Sequence, residues 1–211
     1  LGCDFFTFSG HKMYGPTGVG VLYAKENVLD KMEPYQGGGE MIDKVTLQES
    51  TWNEPPWKFE AGTPNIAQVV GLGSSVDFIN EIGLYNIEKN LTQLTQFALE
   101  KMNEMSGIHL FHSGNPSENV ISFTVEGIHP QDLAMFMNED DIAFRVGHHC
   151  AQPLMKHFGV SATARISFAV YNTQEDIKIF IQSLKNTIEI LGKTPKEKPV
   201  IKTKIVSKVS S

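Results

Sequence analysis

Cysteine is scarce in this sequence: two in 211 residues, Cys3 and Cys150. Two thiols cannot build a disulfide framework, so the chain reads as one from a reducing compartment, the cytoplasm. Long apolar runs are missing too. None reaches the roughly 18 residues of a membrane-spanning helix, which excludes such a span. The opening residues, LGCDFFTFSGHK, lack a basic stretch leading into an apolar one, so no secretory leader is expected. Positive charge is short over most of the chain. Six of its 18 lysines and arginines lie in residues 193–211, beside a single acid, Glu197. The other 192 residues keep 12 basic and 23 acidic side chains, a balance of −11 that disfavours nucleic-acid binding.

What is present supports a packed core. Hydrophobic residues make up 41% and charged ones 20%, outside the range of a disordered chain. Residues 3–8 (CDFFTF) read as a buried strand and 19–24 as a second, joined by a loop dense in glycine and proline. A short helix is expected over 27–32. Residues 33–65 are irregular, with glycines at 37, 38 and 39, Pro55-Pro56, Trp52 and Trp57. So long a connection is usually functional, and its composition suggests a surface-covering hairpin that meets another chain or domain. Helical spacing runs over 66–105, broken at Ile82-Gly83. Strands follow at 108–112 and 119–125, a helix at 130–137, strands at 142–146 and 163–170, and a last helix from Thr173 to about Leu191, capped by T-x-E-D. This second half has the order of an α+β domain.

Four groups of residues could carry chemistry. Ser9, His11 and Lys12 leave one strand end together in a glycine-rich loop, which can present donors to a phosphate. An amine beside a second cationic group also makes a good nucleophile and Schiff-base former; the alternative is a solvated lysine in a turn. The second group is Arg145-Val146-Gly147-His148-His149-Cys150-Ala151-Gln152-Pro153. A neighbouring imidazolium or the helix expected at Gln152-Pro153 would favour thiolate at Cys150, against the alternative of a structural cysteine. No zinc spacing accompanies it, so no metal is expected. A cysteine-protease reading needs a distant histidine, and nothing singles out His109, His112, His129 or His157. Third, Arg165 lies in an apolar strand and must meet an anion, either an internal carboxylate or a substrate's. Fourth, Gly62 and Thr63 precede a helix, where an amide and a hydroxyl suit phosphate contact or simple capping.

Five motifs now stand in order: SGHKMYGPTGVGVLYA, GGGEMI, FEAGTPN, RVGHHCAQPLM and TARISFAVYNT. Together they closely resemble the SUF-type (group II) cysteine desulfurases, pyridoxal 5'-phosphate (PLP) enzymes of aminotransferase class V. RVGHHCAQP separates this group from the housekeeping desulfurases, whose cysteine loop is longer. The resemblance implies an α/β protein of PLP fold type I. Residues 1–95 would be the C-terminal part of the large PLP-binding domain. Residues 96–192 would be the small α+β domain with the cysteine loop, and 193–211 a lysine-rich flexible tail.

By the same resemblance, Lys12 matches the lysine that joins the cofactor's aldehyde, and Ser9 and His11 match phosphate ligands. Gly62 and Thr63 match residues that reach the phosphate of the neighbouring subunit's cofactor, implying a homodimer. Cys150 matches the persulfide-forming nucleophile, and Arg165, with Arg145 nearby, the binder of the substrate carboxylate. The implied reaction converts L-cysteine to L-alanine and passes sulfur to a SufE- or SufU-like acceptor for iron–sulfur cluster assembly. Selenocysteine lyase shares the scaffold, and a non-catalytic fragment that binds a sulfur acceptor is the reading from a different class. Cys3 matches no functional position and is expected to be buried. Family members are about twice this long, so the ring that stacks on PLP and the aspartate that pairs with its pyridine nitrogen are expected before Leu1. Asp140-Asp141 stands where a glycine often ends the helix before the cysteine strand.

Overall fold

Aromatic and β-branched residues alternate in Phe5–Ser9 (β1), and Gly20–Ala24 (β2) pairs with it antiparallel, from Phe5 opposite Ala24 to Ser9 opposite Gly20. The structure, a computed structural model, describes residues 2–113, 115 and 119–192. The lysine-rich segment 193–211 lies outside the described residues. The chain divides into two units, Leu1–Leu84 and Tyr85–Ser211.

In the first unit, β1 is not the buried strand expected from CDFFTF. Phe5 and Phe6 are 48% and 45% exposed, and Cys3 is only partly covered. The reason lies in the topology: β1 and β2 form a sheet of two strands, too few to enclose either face. A short helix, Glu26–Leu29 (α1), follows. Ile42–Val45 (β3) and Ser50–Trp52 (β4) make the hairpin within the irregular stretch. Its tip is closed by the Thr46 hydroxyl, which accepts the amides of Gln48 and Glu49. Ile66–Ile82 (α2) is apolar on nearly every side, yet only Leu72 and Ser75 are buried. It stops at Gly83, whose φ of 87° matches the expected break.

The second unit has a complete core. Ile108–Phe111 (β5), Val120–Val125 (β6), Arg145–Gly147 (β7) and Thr163–Ser167 (β8) form one antiparallel sheet in the order β5-β6-β8-β7. Leu84–Asn103 (α3), Pro130–Asn138 (α4), Gln152–Phe158 (α5) and Gln174–Gly192 (α6) are its helices. Alternation along β6 turns Ile121, Phe123 and Val125 inward, against Leu94, Ala98 and Met102 of α3, Leu133 and Met137 of α4, and Ile177, Phe180 and Leu184 of α6. Thr173 and Asp176 cap α6 reciprocally: each backbone amide donates to the other's side chain, at 2.8 and 3.3 Å. The expected α+β order is therefore present.

Two strands are shorter than the sequence suggests: β8 stops at Ser167 rather than 170, and β7 starts late. Residues 142–144 read as the start of β7, but the ladder begins at Arg145. The Ile142 amide is committed to the Met137 carbonyl at the end of α4, and Phe144 packs against Phe123 and Phe180. Residues 142–144 and 166–168 both line a cavity of about 130 Å³. Asp141 ends α4 with a φ of 58°, in the left-handed position that glycine occupies most easily.

Candidate active site

Two groups of candidate residues result, one in each unit. In the first, Ser9 ends β1 in extended conformation and a single 3-10 turn, Gly10–Lys12, follows. The Gly10 carbonyl accepts the amides of Met13 and Gly15, both at 3.0 Å, and closes the loop on itself. A Cβ on Gly15 would lie 2.9 Å from that carbonyl oxygen, so only glycine fits there. The loop is seated on α2: Pro16 lies against Gly71, and the Asn65 side chain donates to the Gly18 carbonyl at 2.7 Å. His11 and Lys12 are exposed, and Ser9 is half-buried. None of their side chains has a hydrogen bond or ion pair among the described residues. A hydroxyl, an imidazole and a primary amine held uncommitted on a rigid loop suit a phosphate and an aldehyde, the two reactive ends of PLP.

Gly62 and Thr63 are placed differently from the sequence reading. The helix starts at Ile66, with Asn65 rather than Thr63 at its cap position. The Gly62 amide donates to the Gly39 carbonyl at 2.8 Å, so it is not a free phosphate donor. The Thr63 side chain stays exposed.

In the second unit, Arg145 and Arg165 face each other across one rung of the β7–β8 ladder. Directly opposed residues project from the same face, and like charges there repel. No carboxylate pairs with either among the described residues, and the Arg165 Nε is buried without a partner. The internal-carboxylate alternative for Arg165 is therefore not what the structure shows. An anion with two oxygens would satisfy both guanidinium groups.

The loop after β7 carries the thiol. Gly147 has φ 122°, and His149 and Cys150 follow with φ 53° and 60°. Two consecutive non-glycine residues in the left-handed region cost about 1–3 kcal/mol each, so their surroundings must hold them there. The Ala151 amide donates to the His148 carbonyl at 2.8 Å and closes the turn into α5. Cys150 is exposed and lines a cleft of about 590 Å³ with Arg145, His148, His149, Gln152 and Pro153.

His149 turns the other way. Its Nε2 lies 3.1 Å from the Thr163 carbonyl and 2.9 Å from the Thr163 hydroxyl, on a residue with no exposed surface. A carbonyl only accepts, so Nε2 carries the proton and Nδ1, buried without a partner, is bare. Burial holds the His149 pKa below the usual histidine range, and the positive charges of Arg165, Arg145 and His148 add to this, while the Thr163 bond opposes it. The charged form is therefore disfavoured at His149, one of the two histidines that could have set an imidazolium beside Cys150. Thr163 has no sequence signal of its own: what brings it to His149 is the pairing of Gly147 with Thr163.

A family model described as Aminotransferase class-V matches residues 1–180. A probable cysteine desulfurase of Halalkalibacterium halodurans is 53% identical over 192 residues, covering 91% of this chain and 47% of the relative. One from Staphylococcus epidermidis is 48% identical over 195 residues, with the same coverage. Among solved structures, the cysteine desulfurase CsdA from Escherichia coli superposes with TM-score 0.85 at 38% identity, over 89% of this chain and 47% of that one. The apo cysteine desulfurase from Thermococcus onnurineus NA1 gives 0.86 at 40%, over 90% and 48%. The chain spans about half the length of the curated relatives it matches.

Proposed function

The chain belongs to the aminotransferase class-V family, and from that premise we propose that it carries the amine and the thiol of a PLP-dependent cysteine desulfurase. In this reading residues 1–95 close the large cofactor-binding domain and 96–192 form the small one. The observation that carries it is the uncompensated pair Arg145 and Arg165 on the β7–β8 ladder, whose strand β7 leads into the loop of an exposed thiol, Cys150. A substrate that brings a carboxylate and a sulfur atom meets both.

Lys12 would hold the cofactor through its amine, and Ser9 and His11 its phosphate, with the exposed Thr63 of a second copy reaching the same phosphate in a homodimer. The cofactor, when bound, supplies an aldehyde that engages the substrate amine and a ring that accepts electrons. Arg165, with Arg145, grips the carboxylate of L-cysteine and fixes its orientation. The Lys12 amine takes the proton at the substrate Cα. The Cys150 thiolate attacks the substrate sulfur. As the new S–S bond forms, the Cβ–S bond breaks and its electron pair stays on carbon; one proton taken up at Cβ and the proton returned by Lys12 at Cα complete L-alanine. The sulfur left as a persulfide on Cys150 then passes to a SufE- or SufU-like thiol for iron–sulfur cluster assembly in the cytoplasm.

Two measurements test this. The chain mixed with PLP is expected to absorb in the near-visible range and to retain the cofactor after borohydride reduction, and Lys12→Ala is expected to do neither. Cysteine-dependent alanine and sulfide are expected from a dimer completed by the N-terminal half of a relative, and to be lost in Cys150→Ala. Absence of cofactor absorbance in the wild-type chain and in the completed dimer alike overturns the proposal.

A further inference from the structure

The thiol loop carries two adjacent side chains, one half-buried and one exposed. His149 turns its ring in to Thr163, and Cys150 leaves its thiol exposed. Both residues are left-handed, a conformation neither prefers. The turn bond from Ala151 to His148 spans the two residues but fixes neither side chain. The ring contact does. Thr163 is fully buried, fixed in β8, and offers two oxygens to one nitrogen.

We infer that His149 is a positioning residue for Cys150: its ring, tied to Thr163, keeps the thiol-bearing residue in the left-handed turn with the sulfur outward. The role is mechanical. Nε2–H donates to Thr163 and the buried Nδ1 has no hydrogen-bond partner, the thiol included, so the side chain serves to pin the loop to the sheet. Thr163 is the matching half of the clamp, and its place at the end of the β7–β8 ladder ties the thiol's position to the ladder that also carries Arg145 and Arg165. The inference rests on the proposed role of Cys150 as the sulfur acceptor, but its test does not.

The test is NMR on the full chain labelled with 15N and 13C, without cofactor. The three-bond HN–Hα and one-bond Cα–Hα couplings of Cys150 report the sign of φ. The wild type is expected to show the positive-φ signature, His149→Leu to lose it, and His149→Gln, which keeps a donor near the Nε2 position, to restore it. A positive-φ signature that persists in a folded His149→Leu chain overturns the inference. Should the leucine variant not fold, the wild-type ring decides alone: long-range 1H–15N correlations are expected to show Nε2 protonated and Nδ1 bare at neutral pH, and the opposite tautomer overturns it. A chain that fails to bind PLP leaves these couplings unchanged, so the two proposals fail separately.

Discussion

Arg145 stands directly opposite Arg165 on the β7–β8 ladder, and no carboxylate among the described residues separates their charges. The sheet accepts this repulsion on the strand that leads into the thiol loop. Removing one charge should therefore relieve the fold while removing an anion site. Arg145→Gln is expected to stabilise the chain by about 0.2–1 kcal/mol at low ionic strength. Acetate is expected to raise the thermal midpoint of the wild type beyond equal chloride, and to raise that of the variant less. Thermal unfolding in both salts checks it; equal acetate effects on the two chains would count against an anion seat.

Asp141 and Gly159 end two helices in the same way, with φ 58° and 70°. In each, the left-handed residue donates three residues back and the next residue donates five back. Asp141→Gly is expected to gain about 1 kcal/mol, and Gly159→Ala to lose about the same or more. Urea denaturation of the two variants reads both signs.

The folded pKa of His149 lies below the unfolded value. Between the two, the unfolded chain binds the extra proton, so stability rises with pH. The contribution is complete above the ordinary histidine range and is lost as pH falls below it. The wild type is expected to lose stability on acidification from neutral pH more steeply than His149→Gln. Unfolding curves taken at stepped pH check this, and parallel slopes would remove His149 as the cause.

Phe123 is fully buried where α3, α4 and α6 meet the sheet, touching the rings of Phe144 and Phe180. Phe123→Ala is expected to cost about 3–5 kcal/mol. Every member of this core lies between residues 91 and 191. A fragment of residues 85–192 is therefore expected to unfold cooperatively, and a fragment of residues 2–84 is not. Calorimetry of the two fragments reads the difference.

Local signals carried much of the fold. The break at Gly83, the Thr173–Asp176 cap and the inward alternation of Ile121, Phe123 and Val125 each depend on residues a few positions apart, where chemistry and geometry are visible in sequence. The family was legible because five motifs occur in one order. What escaped depends on register and distant partners. Gly62 spends its amide on Gly39, and His149 meets Thr163, 14 residues on. Nothing in RVGHH or TARIS announces that Arg145 will face Arg165. The exposure of β1 escaped for a different reason: apolar alternation shows which face wants cover, not how many strands supply it.

The ladder of β7 is only three residues long, starting at an arginine and ending in a glycine whose φ of 122° bends the chain away. Residues 142–144, which would lengthen it, make no ladder pairs with β8. That margin of the second unit's sheet therefore offers an incoming strand too little straight backbone to template fibril growth, and a charge at its first position to repel one. The short β7 thus guards this edge of the sheet against strand addition.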